Sequence, residues 1–308
     1  MQLLYGDNQM EKVSYGGWDN CYRLVNDHIE LIITGDVGPR VIRFGFIGQE
    51  NMFKEYPEQL GITNTTEWLI FGGHRLWHAP EAQPRTYYPD SEPVLIQEIE
   101  NGLIATQKPE PTTGLQKQIE IKLSPNEDEV QLTHILINHN LWAVETAIWA
   151  LSVMAPGGTA ILPFPPRGPH PEFMLPTSIL SIWPYTNLSD PRWLLGERII
   201  MLNQDINNAT PQKIGVFASD GWGAYANHNA LFIKKVPIHF EGLYPDFGVN
   251  FEVFTNEAML ELESLGPVES IPPKGRIDHQ EHWALLQDIP KPTTEAEVIK
   301  NFLPKITD

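Results

Sequence analysis

The chain predicts an antiparallel all-β fold, and three observations point to it. Short runs that alternate apolar and polar side chains recur along its 308 residues, clusters of Gly, Pro, Asn and Asp separate them, and helical signals are few. Taken in order, His28–Thr34 alternates Ile29, Leu31 and Ile33. Arg40–Ile47 puts Ile42, Phe44 and Phe46 on one face, and Gln118–Leu123 alternates Ile119, Ile121 and Leu123. Val130–Ile137, Thr146–Met154, Ile214–Ser219, Leu231–Val236, Asn250–Thr255 and Met259–Leu265 continue the series. Turn clusters such as Gly35–Pro39, Ser124–Asp128 and Ala155–Gly158 fall between them. The best helical signal is Pro292–Phe302, where Thr294 can cap, Glu297 sits three residues on, and Val298, Ile299 and Phe302 form an apolar stripe. A short helix is also expected over Lys54–Gly61. No linker or internal repeat is visible, so residues 1–308 are read as one domain, two antiparallel sheets packed face to face with a short C-terminal helix.

Composition narrows the function. Hydrophobic residues make up 42% of the chain, enough for a large core, and the net charge is −18. That charge disfavours nucleic acid and anionic membranes as partners, because both recruit basic surface. No apolar run reaches the roughly 18 residues of a membrane span, and the first residues lack a basic start followed by an apolar stretch. Cys21 is the only cysteine, which fits a reduced, cytoplasmic setting. The nine tryptophans imply either a bulky core or a cleft that stacks sugar rings.

Two stretches carry most of the chemistry. In Met259–Leu265, MLELESL, strand alternation puts Leu260 and Leu262 on one face and Glu261 and Glu263 on the other. Such a face is either solvated or lines a cleft that uses carboxylates. In Phe71–Glu81, FGGHRLWHAPE, Gly72 and Gly73 permit a positive φ or a close backbone approach. His74, Arg75, Trp77, His78 and Glu81 follow within eight residues. Arg offers a fork of donors, Trp a flat apolar face, and His a proton near neutral pH. The competing reading makes the histidines and Trp77 satisfied core residues.

His74 and His78 also have the spacing of two metal ligands on a helix, with Glu81 as a third. Pro80 and the double glycine oppose a helix there, so no metal and no cofactor is expected. No phosphate-binding loop and no Gly-x-Ser-x-Gly elbow occurs.

The order of segments resembles the galactose-mutarotase superfamily, the β-supersandwich proteins that include the aldose 1-epimerases. Within it the chain is most similar to an uncharacterised bacterial family, a domain of unknown function. The resemblance rests on GGHRLWHAPE, on Asp36–Arg40 before an Ile/Phe strand, on Trp149–Met154 running into Gly157–Gly158, and on Glu261–Pro267. It implies an all-β supersandwich and a free sugar or sugar-derived small molecule as ligand. In an epimerase, a Glu on a late strand takes the anomeric proton while a His protonates the ring oxygen. Glu263 matches that Glu best, with Glu261 second, and His74 is the nearest candidate acid. The Leu-His-Gly and His-Pro-Tyr segments of the epimerases have no counterpart; Trp149-Ala150-Leu151 stands where the second would fall.

The expected site is therefore Glu263 and His74 as catalytic base and acid. Arg75, Trp77, His78, Glu81, Tyr88, Asp246, Glu261 and Arg40 are expected around the sugar, with His74, Arg75 and Glu263 converging on one face. Three functions fit: an aldose mutarotase or epimerase, a lyase or hydrolase in the same cleft, and a non-catalytic sugar-binding domain. Arg192 is expected in a surface ion pair, and His279 and His282 in structural roles beside a core Trp283.

Overall fold

The computed structural model describes residues 9–165 and 167–307. The described chain is nearly all β and forms two antiparallel sheets. The eleven-stranded sheet runs in the order Gln9–Tyr15, Trp18–Val25, Ile29–Thr34, Arg40–Phe46, Gly73–Ala79, Val144–Met154, Leu260–Leu265, Phe251–Thr255, Gln212–Val216 and Leu180–Ile182. Glu269–Ile271 adds to the start of Val144–Met154. The ten-stranded sheet runs Trp193–Leu195, Ile199–Asn203, Thr159–Pro163, Trp222–Asn227, Ala230–Lys235, Arg276–Gln287, Glu129–Asn138, Leu115–Leu123, Gly102–Thr106 and Leu95–Ile99.

The core lies between the sheets, where inward-facing apolar residues of both meet. At its centre Phe44 and Phe53 of the first sheet and its flank pack on Phe232 and Trp283 of the second, with ring centroids 5.4–6.2 Å apart. Leu115–Leu123 is buried at every second residue, as a sheet with one covered face requires. Val144–Met154 differs: from Thr146 onward every residue is buried. Its inner face meets the second sheet, and its outer face carries the roofed cleft described below.

The C-terminal helix forms over Glu295–Asn301 with Thr294 as its N-cap, accepting from the Glu297 amide, and a second short helix, Leu303–Thr307, follows. The Glu297 carboxylate turns back to the Thr293 amide at 2.7 Å. Val298, Phe302 and Ile306 cover Trp222 and Ile233 on the back of the ten-stranded sheet. The helix expected over Lys54–Gly61 is absent. Residues 57–61 make turns instead, while the Lys54 amide bonds Val153 O at 2.8 Å and Glu55 bridges Gly72. Pro57 and these cross-chain bonds leave the segment a strap laid against the sheet.

Candidate functional site

The strand Gly73–Ala79 decides which of the clustered residues reach the outer face. The double glycine before and at its start lets the chain enter under the strap: a Cβ on Gly72 would sit 1.9 Å from Lys54 O, and one on Gly73 2.3 Å from Val41 O, both at positive φ. From there side chains alternate. His74, Leu76 and His78 point between the sheets, and Arg75 and Trp77 point outward.

The central strand Val144–Met154 pairs with Gly73–Ala79 on one side and Leu260–Leu265 on the other. Its Leu151 stands opposite both Arg75 and Glu263, and Glu263 in turn stands opposite Glu252. Trp149 stands opposite Trp77, and Phe254 opposite both Glu261 and Lys213. Sheet register thus gathers two cations, three carboxylates and two indoles from five strands onto one face.

Their contacts form two ion-paired groups. Arg75 Nη2 donates to Glu261 Oε1 at 2.8 Å, and its guanidinium lies 4.6 Å from the Trp77 ring centroid and 5.6 Å from that of Trp68. Lys213 Nζ reaches Glu263 Oε2 at 2.9 Å and Glu252 Oε2 at 2.7 Å, and lies over the rings of Trp149 at 4.7 Å and Trp183 at 4.9 Å. Trp149 Nε1 donates to Glu263 Oε2 at 2.8 Å. Burial pushes Glu252 well above the usual carboxylate range, with Glu263 adding to the shift, although Lys213 opposes it. Burial also raises Glu261 against the pull of Arg75. The two carboxylates hold Lys213 well above its ordinary value, outweighing burial.

The hollow above these groups has a volume of about 230 Å³ and is walled by Trp68, Arg75, Trp77, Tyr87, Trp149, Tyr185, Lys213 and Glu261, among others. A neighbouring hollow of about 340 Å³ shares Glu81, Tyr87 and Trp149 with it and adds Trp183 and Asp246. Four of the nine tryptophans, Trp68, Trp77, Trp149 and Trp183, therefore line the cleft. A larger hollow of about 380 Å³ beside His228 and Glu50 has neither aromatic walls of this kind nor paired charges.

The expected site residues divide accordingly. Arg75, Trp77, Glu81, Glu261 and Asp246 line the cleft. Glu263 is on the same face but fully buried beneath Lys213 and Trp149, so the accessible carboxylate of the strand is Glu261. His74 is a correction: it lies on the opposite face from Glu263, because neighbours on a strand alternate. It is fully buried, with Nδ1 2.9 Å from Ser152 Oγ and Nε2 2.7 Å from His134 Nε2. His78 is likewise buried between the sheets, and burial together with Lys117 pushes it down to about 2. Arg40 stands opposite Arg75 on the same face, but it is buried beside the cleft on Asp90 Oδ2, Ile70 O and Gly72 O and does not line it. Tyr88 faces a separate small hollow with Asp90 and Glu92. Arg192 does pair with Asp190, but the pair is buried, and Arg192 also donates to Asn208 O and Thr210 O. His279 is buried beside the core, while His282 is exposed.

Lys213 and Glu252 escaped the sequence reading, and Trp149 entered it only within a family-like segment, not as a cleft residue. A lone Lys in QKIGV and a lone Glu in FEVFT carry no motif, and only the pairing of their strands with Leu260–Leu265 would have placed them. His134 and Glu281 escaped for the same reason.

His74, His78 and Glu81 do not assemble as ligands, since the two histidines are four residues apart on a strand and Glu81 is in the outer cleft. His74, His134 and Glu281 do bring ligand atoms within 4.8 Å of one another. Their chemistry is that of a hydrogen-bonded network. The two Nε2 atoms are at direct hydrogen-bond distance, closer than two nitrogens bound at about 2.0–2.1 Å to one tetrahedral zinc would sit. Lys234 Nζ already neutralises Glu281 at 2.9 Å, and Trp283 Nε1 donates to it at 2.7 Å.

Comparison with solved structures places this architecture. The chain has the galactose-mutarotase-like β-sandwich fold. It superimposes on a galactose mutarotase-like protein from Lactobacillus casei with a TM-score of 0.54 and 8% identity, covering 87% of this chain and 100% of that one. A galactose mutarotase-like protein from Clostridium acetobutylicum gives 0.52 at 8% identity, covering 91% and 99%. A TPR-domain containing protein from Parabacteroides distasonis gives 0.57 at 14% identity; 88% of this chain is covered, but the chain spans only 48% of that protein. No protein-family model and no curated protein matches the sequence. Among the described residues, no helix is long and apolar enough to cross a membrane.

Proposed function

We propose that the chain binds a carbohydrate in the outer-face cleft and serves as a sugar-binding protein. The observation that carries this is the wall of the central hollow, where Trp68, Trp77 and Trp149 surround the Arg75–Glu261 pair and Lys213. Indole faces take the C–H side of a sugar ring, and charged pairs exchange hydrogen bonds with its hydroxyls. Arg75 Nε and Nη1 and Trp68 Nε1 are buried beside the hollow without a partner among the described residues, three unsatisfied nitrogen donors that a ligand oxygen entering the hollow could satisfy. The fold supports a carbohydrate-related role in general terms. The pairing of Glu263 with His74 as base and acid is set aside, because His74 is on the far side of the sheet and no histidine is among the residues lining either hollow of the cleft.

A second reading keeps an enzyme. Glu261 lines the hollow, and burial holds it above the ordinary carboxylate range, so it can carry a proton to higher pH than an exposed Glu. That is the property a general acid needs.

Calorimetric titration with glucose and galactose, beside polarimetry of the same sugars freshly dissolved, separates these readings. Binding without faster mutarotation is expected. Faster mutarotation that disappears in Glu261→Gln, with binding kept, would establish the enzyme. No binding at millimolar sugar would end the carbohydrate reading.

A further inference from the structure

Resting on the carbohydrate reading, the geometry points to a groove that takes a neutral oligosaccharide, with outer subsites at Trp183 and Phe247 beyond the central hollow. Three hollows adjoin one another. The central one of about 230 Å³ shares Glu81, Tyr87 and Trp149 with that of about 340 Å³. The second shares Trp183 and Asp246 with a third, of about 150 Å³, which Phe247 also lines. The central hollow alone is smaller than the roughly 300 Å³ at which binding pockets usually begin; the three adjoining hollows taken together fall within the usual range.

The aromatic faces follow the same path. Lys213 lies over both Trp149 and Trp183, which ties the two rings at the junction of the first two hollows. Phe247 is 94% exposed, so it adds nothing to the core. Yet its position is fixed. Asp246 and Phe247 hold φ values of 52° and 71°, conformations that disfavour side chains with a Cβ. Ser181 Oγ clamps Asp246 O at 2.6 Å, and the Gly248 and Val249 amides both return to Pro245 O. A large apolar side chain presented to solvent on a clamped, strained turn is arranged to be covered by a ligand.

The charge of the groove selects the ligand class. Arg75 and Lys213 are each already paired, and Glu81 and Asp246 add further negative groups toward the outer hollows. A uronate chain would meet these carboxylates, whereas neutral rings stack on the aromatics and take hydroxyl hydrogen bonds.

The test is calorimetric titration of the full chain with neutral gluco-, galacto- and manno-oligosaccharides, from single sugars to tetrasaccharides. Affinity for at least one series should rise about tenfold or more from monosaccharide to trisaccharide. Phe247→Ala, at a fully exposed position that leaves folding intact, should lower trisaccharide affinity about three- to tenfold and leave monosaccharide affinity unchanged. Equal affinity for one ring and three would overturn the extended groove while leaving the sugar-binding reading in place. A length effect indifferent to both Phe247→Ala and Trp183→Ala would overturn the assigned path. No binding by any member at millimolar concentration would remove both readings, and tighter binding of a matched uronate oligomer would overturn the neutral class.

Discussion

Arg75 and Glu261 stand 186 positions apart in the sequence and 2.8 Å apart in the fold. The strand Val144–Met154 makes this possible, because it pairs with the strand of one on its left and the strand of the other on its right. The pair fixes the guanidinium beside the contacting rings of Trp68 and Trp77, with two of its nitrogens unbonded within the protein.

Arg75 should therefore be the most sensitive binding residue. Arg75→Ala is expected to lower sugar affinity about tenfold or more, by removing charge-assisted donors. Arg75→Lys should not restore it, because an ammonium keeps the charge and loses both the fork and the stacking. Titration of both variants checks this; rescue by Lys would show that charge alone matters.

Lys213 holds together Glu252 and Glu263, which face each other across adjacent strands. Lys213→Met should destabilise the protein by about 3–5 kcal/mol, since it leaves two buried carboxylates without a counter-charge. Adding Glu252→Gln should recover a large part of that loss by removing one of the two charges. Denaturant melts of the single and double variants decide the matter, and additive losses would mean that the three groups are not coupled.

His74→Ala should behave as a core substitution. It removes the partner of His134 and the contact with Trp283, whose ring centroid is 4.7 Å away. A stability loss of about 2–4 kcal/mol is expected with no change in sugar affinity. Weakened sugar binding in a still-folded variant would reopen a role for His74 in the cleft.

The strands were legible where one face is apolar. Ile119, Ile121 and Leu123 announce a strand because their period is two, and Leu115–Leu123 contains them. The cleft was only half legible. Glu261, Arg75 and Trp77 stood out because charged and aromatic residues interrupt apolar strands. The face that each residue of GGHRLWHA takes was not readable, because both faces of Gly73–Ala79 are buried and the run lacks an apolar alternation. Alternation alone does exclude His74 and Arg75 from sharing a face, and that physical constraint outweighs their closeness in sequence. Lys213 and Glu252 required the strand order, which depends on contacts distant in sequence and leaves no local mark.

Acid should weaken the fold from near-neutral pH. Burial lowers His74 well below its ordinary value, with Lys234, His134 and Arg75 adding to the shift. Burial also lowers His134, and it pushes His279 to about 3 and His78 to about 2. Between the unfolded value of about 6.5 and these lower values, the unfolded chain binds more protons, so stability falls as pH falls. Each histidine contributes at most about 1.4 kcal/mol per pH unit in its window. Glu281 works in the same direction below about pH 4.5: burial would raise it, but Lys234 and the neighbouring histidines pull it beneath its ordinary value. Glu252 and Glu261 oppose the trend, since carboxyls raised in the fold favour the folded state as pH falls toward 4.5. Four histidines against two carboxyls leave a net loss. Thermal melts should show a falling midpoint from pH 6.5 to 4.5, and Glu252→Gln with Glu261→Gln should steepen it by removing the opposing groups. A midpoint that stays level in the double variant would show that the buried histidines do not remain neutral in the fold.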